Sequence, residues 1–156
     1  MSYRCVLLLT AALGIISHSA HADGVRDERP NLIGGELGGR AFIYNVGYER
    51  YFTNRIGIGI GAMGFAADGG GFGMFPLYVA LIPVGDVHGL YLAGGATYAG
   101  AAGNWDEVES IWFSTLTVGY LYHSRGGFFI RPTANLIVWK GEGWIVWPGV
   151  ALGGSF

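Results

Sequence analysis

The last thirteen residues, 144–156, constrain this chain more than any other stretch. Read in steps of two, Val146, Pro148, Val150, Leu152 and Phe156 fall on one face. Trp147, Gly149, Ala151, Gly153 and Ser155 fall on the other, and most of these are small or polar. A helical period would scatter the apolar residues around a cylinder, whereas a strand lines them up. An apolar strand with a free edge is an aggregation hazard, so it has to find a neighbour. Closing a sheet into a barrel leaves no edge at all. If the apolar face of such a barrel points outward, the solvent it meets is lipid.

The same alternation recurs along the chain. Ile56, Ile58 and Ile60 alternate strictly with glycines over residues 55–61. Upstream, Phe42, Tyr44, Val46, Tyr48 and Phe52 oppose Asn45, Gly47 and Glu49. Residues 88–98 set Leu90, Leu92, Ala96 and Tyr98 against Tyr91, Ala93, Gly95 and Thr97. Residues 111–122 set Trp112, Leu116, Val118, Tyr120 and Tyr122 against Thr115, Thr117 and Gly119. Residues 128–139 set Phe128, Ile130, Ala134, Leu136 and Val138 against Arg131, Thr133 and Asn135. Residues 74–84 are apolar on both faces and contain Pro76 and Pro83, which obscures their register.

Ahead of these segments, residues 1–22 have the organisation of a cleaved secretory signal peptide. Arg4 supplies the positive charge, residues 6–16 the apolar run, and Ala20-His21-Ala22 a small-x-small cleavage site. The run is too short to span a bilayer as a helix. The single cysteine, Cys5, leaves with this leader, so the mature chain has no disulfide or thiol chemistry. Residues 23–30 are charged and aperiodic, and are expected to form a flexible periplasmic lead-in. Apolar residues make up 51% of the chain and charged residues 13%, yet no later stretch suits a transmembrane helix. A net charge of −2 carries no nucleic-acid footprint.

The connections then set the strand count. Those at Thr53-Asn54, around Gly85-Asp86 and at Ser124-Arg125-Gly126 are tight, whereas 66–73 and 100–110 read as long, glycine-rich loops. Outer-membrane barrels keep tight turns on the periplasmic side and have an even number of strands. Threading backward from Phe156 at the periplasmic rim puts every tight turn on that side. Parity then requires a strand over residues 32–38, with Ile33, Gly35 and Leu37 opposing Gly34, Glu36 and Gly38. The connection at Gly39-Arg40 becomes a very short external loop; one long strand with a glycine kink is the alternative. The expectation is an all-β chain in which 31–156 form one eight-stranded antiparallel up-and-down transmembrane β-barrel.

Leader, eight alternating segments and terminal Phe156 together resemble the small eight-stranded outer-membrane barrels of Gram-negative bacteria, the outer-membrane protein A and X type. The resemblance covers about residues 31–156 and is one of architecture. It implies residence in the outer membrane, with lipid and the barrel-assembly machinery as partners. The assembly signal of that group favours a hydrophobic or aromatic residue two before the end and a glycine five before it. Gly154 and Ala151 stand there, so Phe156 alone matches.

Glu36, Asn45, Glu49, Arg131, Thr133 and Asn135 all occupy the inward phase of their strands. Side chains fill the interior of so narrow a barrel. A buried charge needs a partner, so Arg131 is expected to meet Glu36 or Glu49. The resulting polar plug points to a structural or surface-interaction protein, with a narrow channel for small solutes as the alternative. Tyr44, Tyr98, Trp112, Tyr120, Tyr122 and Phe156 lie toward strand ends on the lipid phase, as an interfacial girdle does.

The acidic loop 104–109, with Trp105 among Asp106, Glu107 and Glu109, lacks an EF-hand pattern and reads as a solvated loop. A lipid-modifying enzyme is the second alternative, but a nucleophilic serine needs a nearby base. The mature chain offers only His88 and His123, both at predicted periplasmic turns, while Ser110 and Ser114 lie at the outer rim. Two histidines without cysteine also make a poor transition-metal site, and no cofactor is implied. A soluble barrel around a lipophilic ligand would need the opposite polarity from that of Arg131, Thr133 and Asn135.

Overall fold

The structure, a computed structural model, describes residues 24–67, 69–103, 110–139, 141 and 143–156. The leader, residues 1–22, and the acidic loop, 104–109, lie outside the described residues. The described residues open with a one-turn helix, α1 (Val25–Glu28). Eight strands follow: β1 (Asn31–Gly38), β2 (Tyr44–Tyr51), β3 (Ile56–Ala67), β4 (Gly70–Leu81), β5 (His88–Gly103), β6 (Ile111–His123), β7 (Phe128–Trp139) and β8 (Gly143–Ser155). Each pairs antiparallel with the next, and β1 pairs with β8 from Leu32↔Ser155 to Gly38↔Gly149, closing the barrel. No described helix is long and apolar enough to cross a membrane, and a barrel of this kind crosses with strands.

Polarity is inverted relative to a water-soluble barrel. Ile58, Ile60, Leu77, Val79, Leu116, Val118, Val150 and Leu152 point outward and are exposed, whereas Glu36, Asn45, Glu49, Thr117, Arg131 and Asn135 point inward and are buried. The alternation of isoleucine and glycine in β3 has a packing cause. The glycines face the lumen, and a Cβ at Gly59 would collide with the Tyr78 ring. The lower end holds both described termini and the three tight turns. At one of these turns the Thr53 hydroxyl accepts from the Arg55 and Ile56 amides at 3.1 and 3.0 Å.

Four details differ from the sequence expectation. The stretch 66–73 is mostly strand, because Phe65↔Phe72, Ala66↔Gly71 and Ala67↔Gly70 continue the ladder. Residues 100–103 likewise extend β5 against Gly70–Gly73. A ladder asks only for backbone N–H and C=O groups, which glycines supply, and the Phe65 and Phe72 rings meet across it at 5.7 Å. Phe42 does not follow the outward phase. Gly38, Gly39 and Phe42 take φ of 69°, 70° and 63°, which folds the short 3₁₀ turn Gly39–Ala41 into the lumen and carries the Phe42 ring inward. Finally, the lead-in is not free: Val25 and Arg26 are buried at the lower mouth of the barrel.

The interior is layered. A lower apolar cluster includes Leu32, Tyr51, Ile82, Leu121 and Phe129. An upper one includes Ala41, Met63, Met74, Ala99, Phe113 and Ile137, with Phe42, Phe72, Trp139, Ile145 and Trp147 half-buried against it. Charged groups gather where the two meet.

Candidate functional site

Arg131, from the middle of β7, places Nη1 3.0 Å from both carboxylate oxygens of Glu49 on β2. Both side chains are about 95% removed from solvent. The guanidinium carbon also lies 4.0 Å from the centre of the Tyr91 ring, and the Tyr91 hydroxyl donates to Glu49 at 3.1 Å. A second guanidinium enters from the 3₁₀ turn. Arg40 donates to the Tyr91 hydroxyl at 3.0 Å, stacks over Tyr78 at 3.9 Å, and stands 3.5 Å from Glu36. Asn45 donates to the same Glu36 oxygen at 2.7 Å. Glu36, Arg40, Glu49 and Arg131 therefore form a neutral layer of alternating charge, bridged by Tyr91. Stacking on an aromatic face adds attraction where water is excluded. The space left among Glu36, Asn45, Glu49 and Arg131 is about 20 Å³, room for one water molecule.

Of the six inward polar residues read from the sequence, four belong to this layer and two do not. Asn135 accepts from Thr117 at 2.7 Å and donates to Thr133 and to the Trp147 carbonyl at 3.1 and 3.2 Å. Thr133 donates to the Gly149 carbonyl at 3.3 Å, so this pair is satisfied within the wall. Arg40 was missed because it sits in a connection, where strand alternation has no bearing. Tyr78 was hidden by the uncertain register around Pro76. Tyr91 did carry a signal, since it lies on the inward phase of β5.

The lower mouth has its own closure. Arg26 is fully buried and donates to the carbonyls of Asn54, Asp86 and Gly85 at 2.6, 2.8 and 2.9 Å, tying two tight turns together. The Val25 amide donates to the Asp86 carboxylate at 2.9 Å. Burial pushes the Arg26 guanidinium down from its ordinary value, opposed by Tyr51 and Asp86, but a guanidinium remains charged there. Nearby, His123 and Ser155 meet at 2.7 Å, with the Ser155 hydroxyl donating onward to the Gly127 carbonyl at 3.1 Å. His88, by contrast, is exposed and hydrogen-bonded to the Tyr120 hydroxyl. Among the described residues no group of three or more His, Cys, Asp or Glu could hold a metal ion.

The lipid-phase aromatics lie as the alternation places them. Tyr44, Trp112, Tyr120 and Phe156 are exposed, and Tyr98 and Tyr122 are half-exposed. Phe156 exchanges backbone hydrogen bonds with Asn31 at 2.9 and 3.1 Å, extending the β1–β8 seam.

A closed eight-stranded antiparallel barrel with an apolar exterior and a charged interior has the fold of the small outer-membrane barrels. No family model and no curated protein matches the chain. Among solved structures it is similar to the N-terminal β-barrel domain of Pseudomonas aeruginosa OprF, with a TM-score of 0.63 at 12% identity. That match covers 82% of this chain and 98% of the other. The attachment invasion locus protein Ail of Yersinia pestis matches with a TM-score of 0.49 at 15% identity, over 81% of this chain and 96% of that one.

Proposed function

We propose that the chain is an integral protein of the bacterial outer membrane whose barrel is plugged by side chains and whose role is structural or carried by its outward loops. The observation that carries this reading is the Arg131–Glu49 pair, buried across the lumen beside a space of only about 20 Å³. A hydrated small solute needs a continuous path, and the charged layer, Tyr91 and the apolar clusters on either side of it stand across that path. The exposed band of isoleucine, leucine and valine supports a lipid surround, since contiguous apolar patches of that extent are rare on soluble monomers. In that setting the terminal Phe156 is offered to the barrel-assembly machinery.

Catalysis is not part of the proposal. The histidine and serine that do meet, His123 and Ser155, are both buried, and the serine proton is committed to a backbone carbonyl. A nucleophile needs its proton aimed at the base. The test is conductance of the purified protein in a planar bilayer together with fractionation of cells. The proposal expects little steady current and recovery in the outer-membrane pellet. A stable open channel would replace the plug with a pore.

A further inference from the structure

The outward face of the barrel is almost free of charge. Ile58, Leu77, Leu116, Val150 and Leu152 are representative of it. Among the described residues, Arg50 is the one Arg, Lys, Asp or Glu on an outward strand position. In β2 it stands between Glu49 and Tyr51, which are buried. It pairs with Asn31, the first residue of β1, and the tight turn at Thr53-Asn54 follows, so it belongs to the lower rim. An arginine on a lipid-facing wall is strongly disfavoured at the bilayer midplane and tolerated near the interface.

The neighbours of Arg50 form a network on the outside of the wall. Arg50 Nη1 donates to Asn31 Oδ1 at 3.2 Å, and the Tyr48 hydroxyl donates to the same oxygen at 2.6 Å. Asn31 Nδ2 in turn donates to the Phe156 carbonyl at 3.1 Å. Tyr48 and Phe156 are exposed, as is Phe52 two positions beyond Arg50. Aromatic rings in such positions favour the lipid headgroup boundary. The charge of Arg50 is not used within the protein. Glu36 and Glu49 are taken by Arg40 and Arg131, and among the described residues no carboxylate forms a salt bridge with Arg50. Asn31 Oδ1 is the one described acceptor of its guanidinium, which leaves most of the fork free.

We infer that Arg50, backed by Asn31 and Tyr48, is a binding site for the phosphate of a phospholipid in the leaflet at the lower end of the barrel. Charge complementarity names the group. A guanidinium presents two parallel N–H donors to two phosphate oxygens, and its bond to Asn31 holds the fork at the wall. The surroundings name the carrier of that phosphate. Arg50 pairs with Ile58 and Tyr48 pairs with Ile33, and both isoleucines are exposed beside the site. A phosphate that brings acyl chains covers these side chains, which a free anion leaves in contact with water. This inference rests on the membrane placement proposed above.

The experiment is native mass spectrometry of the folded protein, released from detergent after addition of phosphatidylglycerol, of diacylglycerol with the same chains, or of inorganic phosphate. Wild-type protein should retain phosphatidylglycerol and release diacylglycerol, and inorganic phosphate should not displace the lipid. Arg50→Gln should lower retention by about tenfold, the loss of a charge-assisted hydrogen bond. Arg125→Gln removes the same charge from an exposed tight turn and should leave retention unchanged. Equal loss in the two variants would reduce the effect to net charge and overturn the site, as would undiminished retention by Arg50→Gln. Equal retention of diacylglycerol would assign the contact to the chains, and displacement by inorganic phosphate would make it a free-anion site; either overturns the inference. The same preparation is fractionated. Wild-type protein that stays in the washed membrane pellet but retains no phosphatidylglycerol overturns the site alone, whereas wild-type protein in the soluble fraction overturns the membrane placement as well. If Arg50→Gln does not reach the folded, heat-modifiable form, the comparison of the two lipids on wild-type protein decides.

Discussion

Arg131 and Glu49 stand 82 positions apart in sequence and meet at 3.0 Å in the middle of the barrel. Neither strand alone has any use for a charge at that position. Together they let a narrow barrel hold polar groups where water is scarce, and Tyr91 and Arg40 extend the arrangement to Glu36. Arg131→Ala removes the partner of a buried carboxylate and should destabilise the protein by about 3–5 kcal/mol. Arg131→Met combined with Glu49→Leu should recover much of that loss. Urea unfolding in lipid vesicles measures both. Loss in the double variant as large as in the single one would show that the carboxylate is not the liability.

The same pair bears on conduction. Wild-type protein should give little steady current in a planar bilayer. If Arg131→Ala reshaped a stable wild-type current without loss of stability, the interior would be a selectivity element and not a plug.

Arg26 holds the lower mouth through three backbone carbonyls presented by two turns. Arg26→Ala should release residues 24–29, so that limited digestion of the folded protein with a glutamate-specific protease cleaves after Glu28. Wild-type protein should resist under the same conditions. Arg26→Lys should not restore resistance, since a compact ammonium cannot serve three carbonyls in a forked geometry. Full protection of the alanine variant would mean that Val25 and the Asp86 contact suffice.

Membrane integration is checked on gels and in washes. The folded barrel should migrate differently before and after boiling, and should stay in the pellet through carbonate or urea without detergent. Release by either wash would contradict a lipid-facing exterior.

Deletion of Phe156 removes the terminal aromatic and its two backbone bonds to Asn31. The truncated chain should accumulate in the periplasm. Normal outer-membrane levels would show that assembly does not depend on that residue.

Much of this architecture could be read directly from the sequence. Period-two alternation depends only on neighbours along one strand, so it told outward Ile58 and Val150 from inward Glu49 and Asn135 before any partner was known. It failed where the backbone departs from extended geometry, as at Gly39–Phe42, where positive φ angles carry Arg40 and Phe42 into the lumen. It also failed at 66–73 and 100–103. There glycine content reads as loop, but cross-strand pairing makes strand.

By itself, then, the sequence determined the strand faces, the tight turns and the presence of charged side chains inside. Only the tertiary structure decided that Arg131 takes Glu49 while Arg40 takes Glu36, and that Thr133 and Asn135 are satisfied in the wall. It alone also decided where the short β1–β2 hairpin ends against its neighbours β3 and β8. The physical reason is that alternation is a property of one strand. Which inward groups meet depends on the stagger of all eight strands at closure, a relation between residues far apart in the chain.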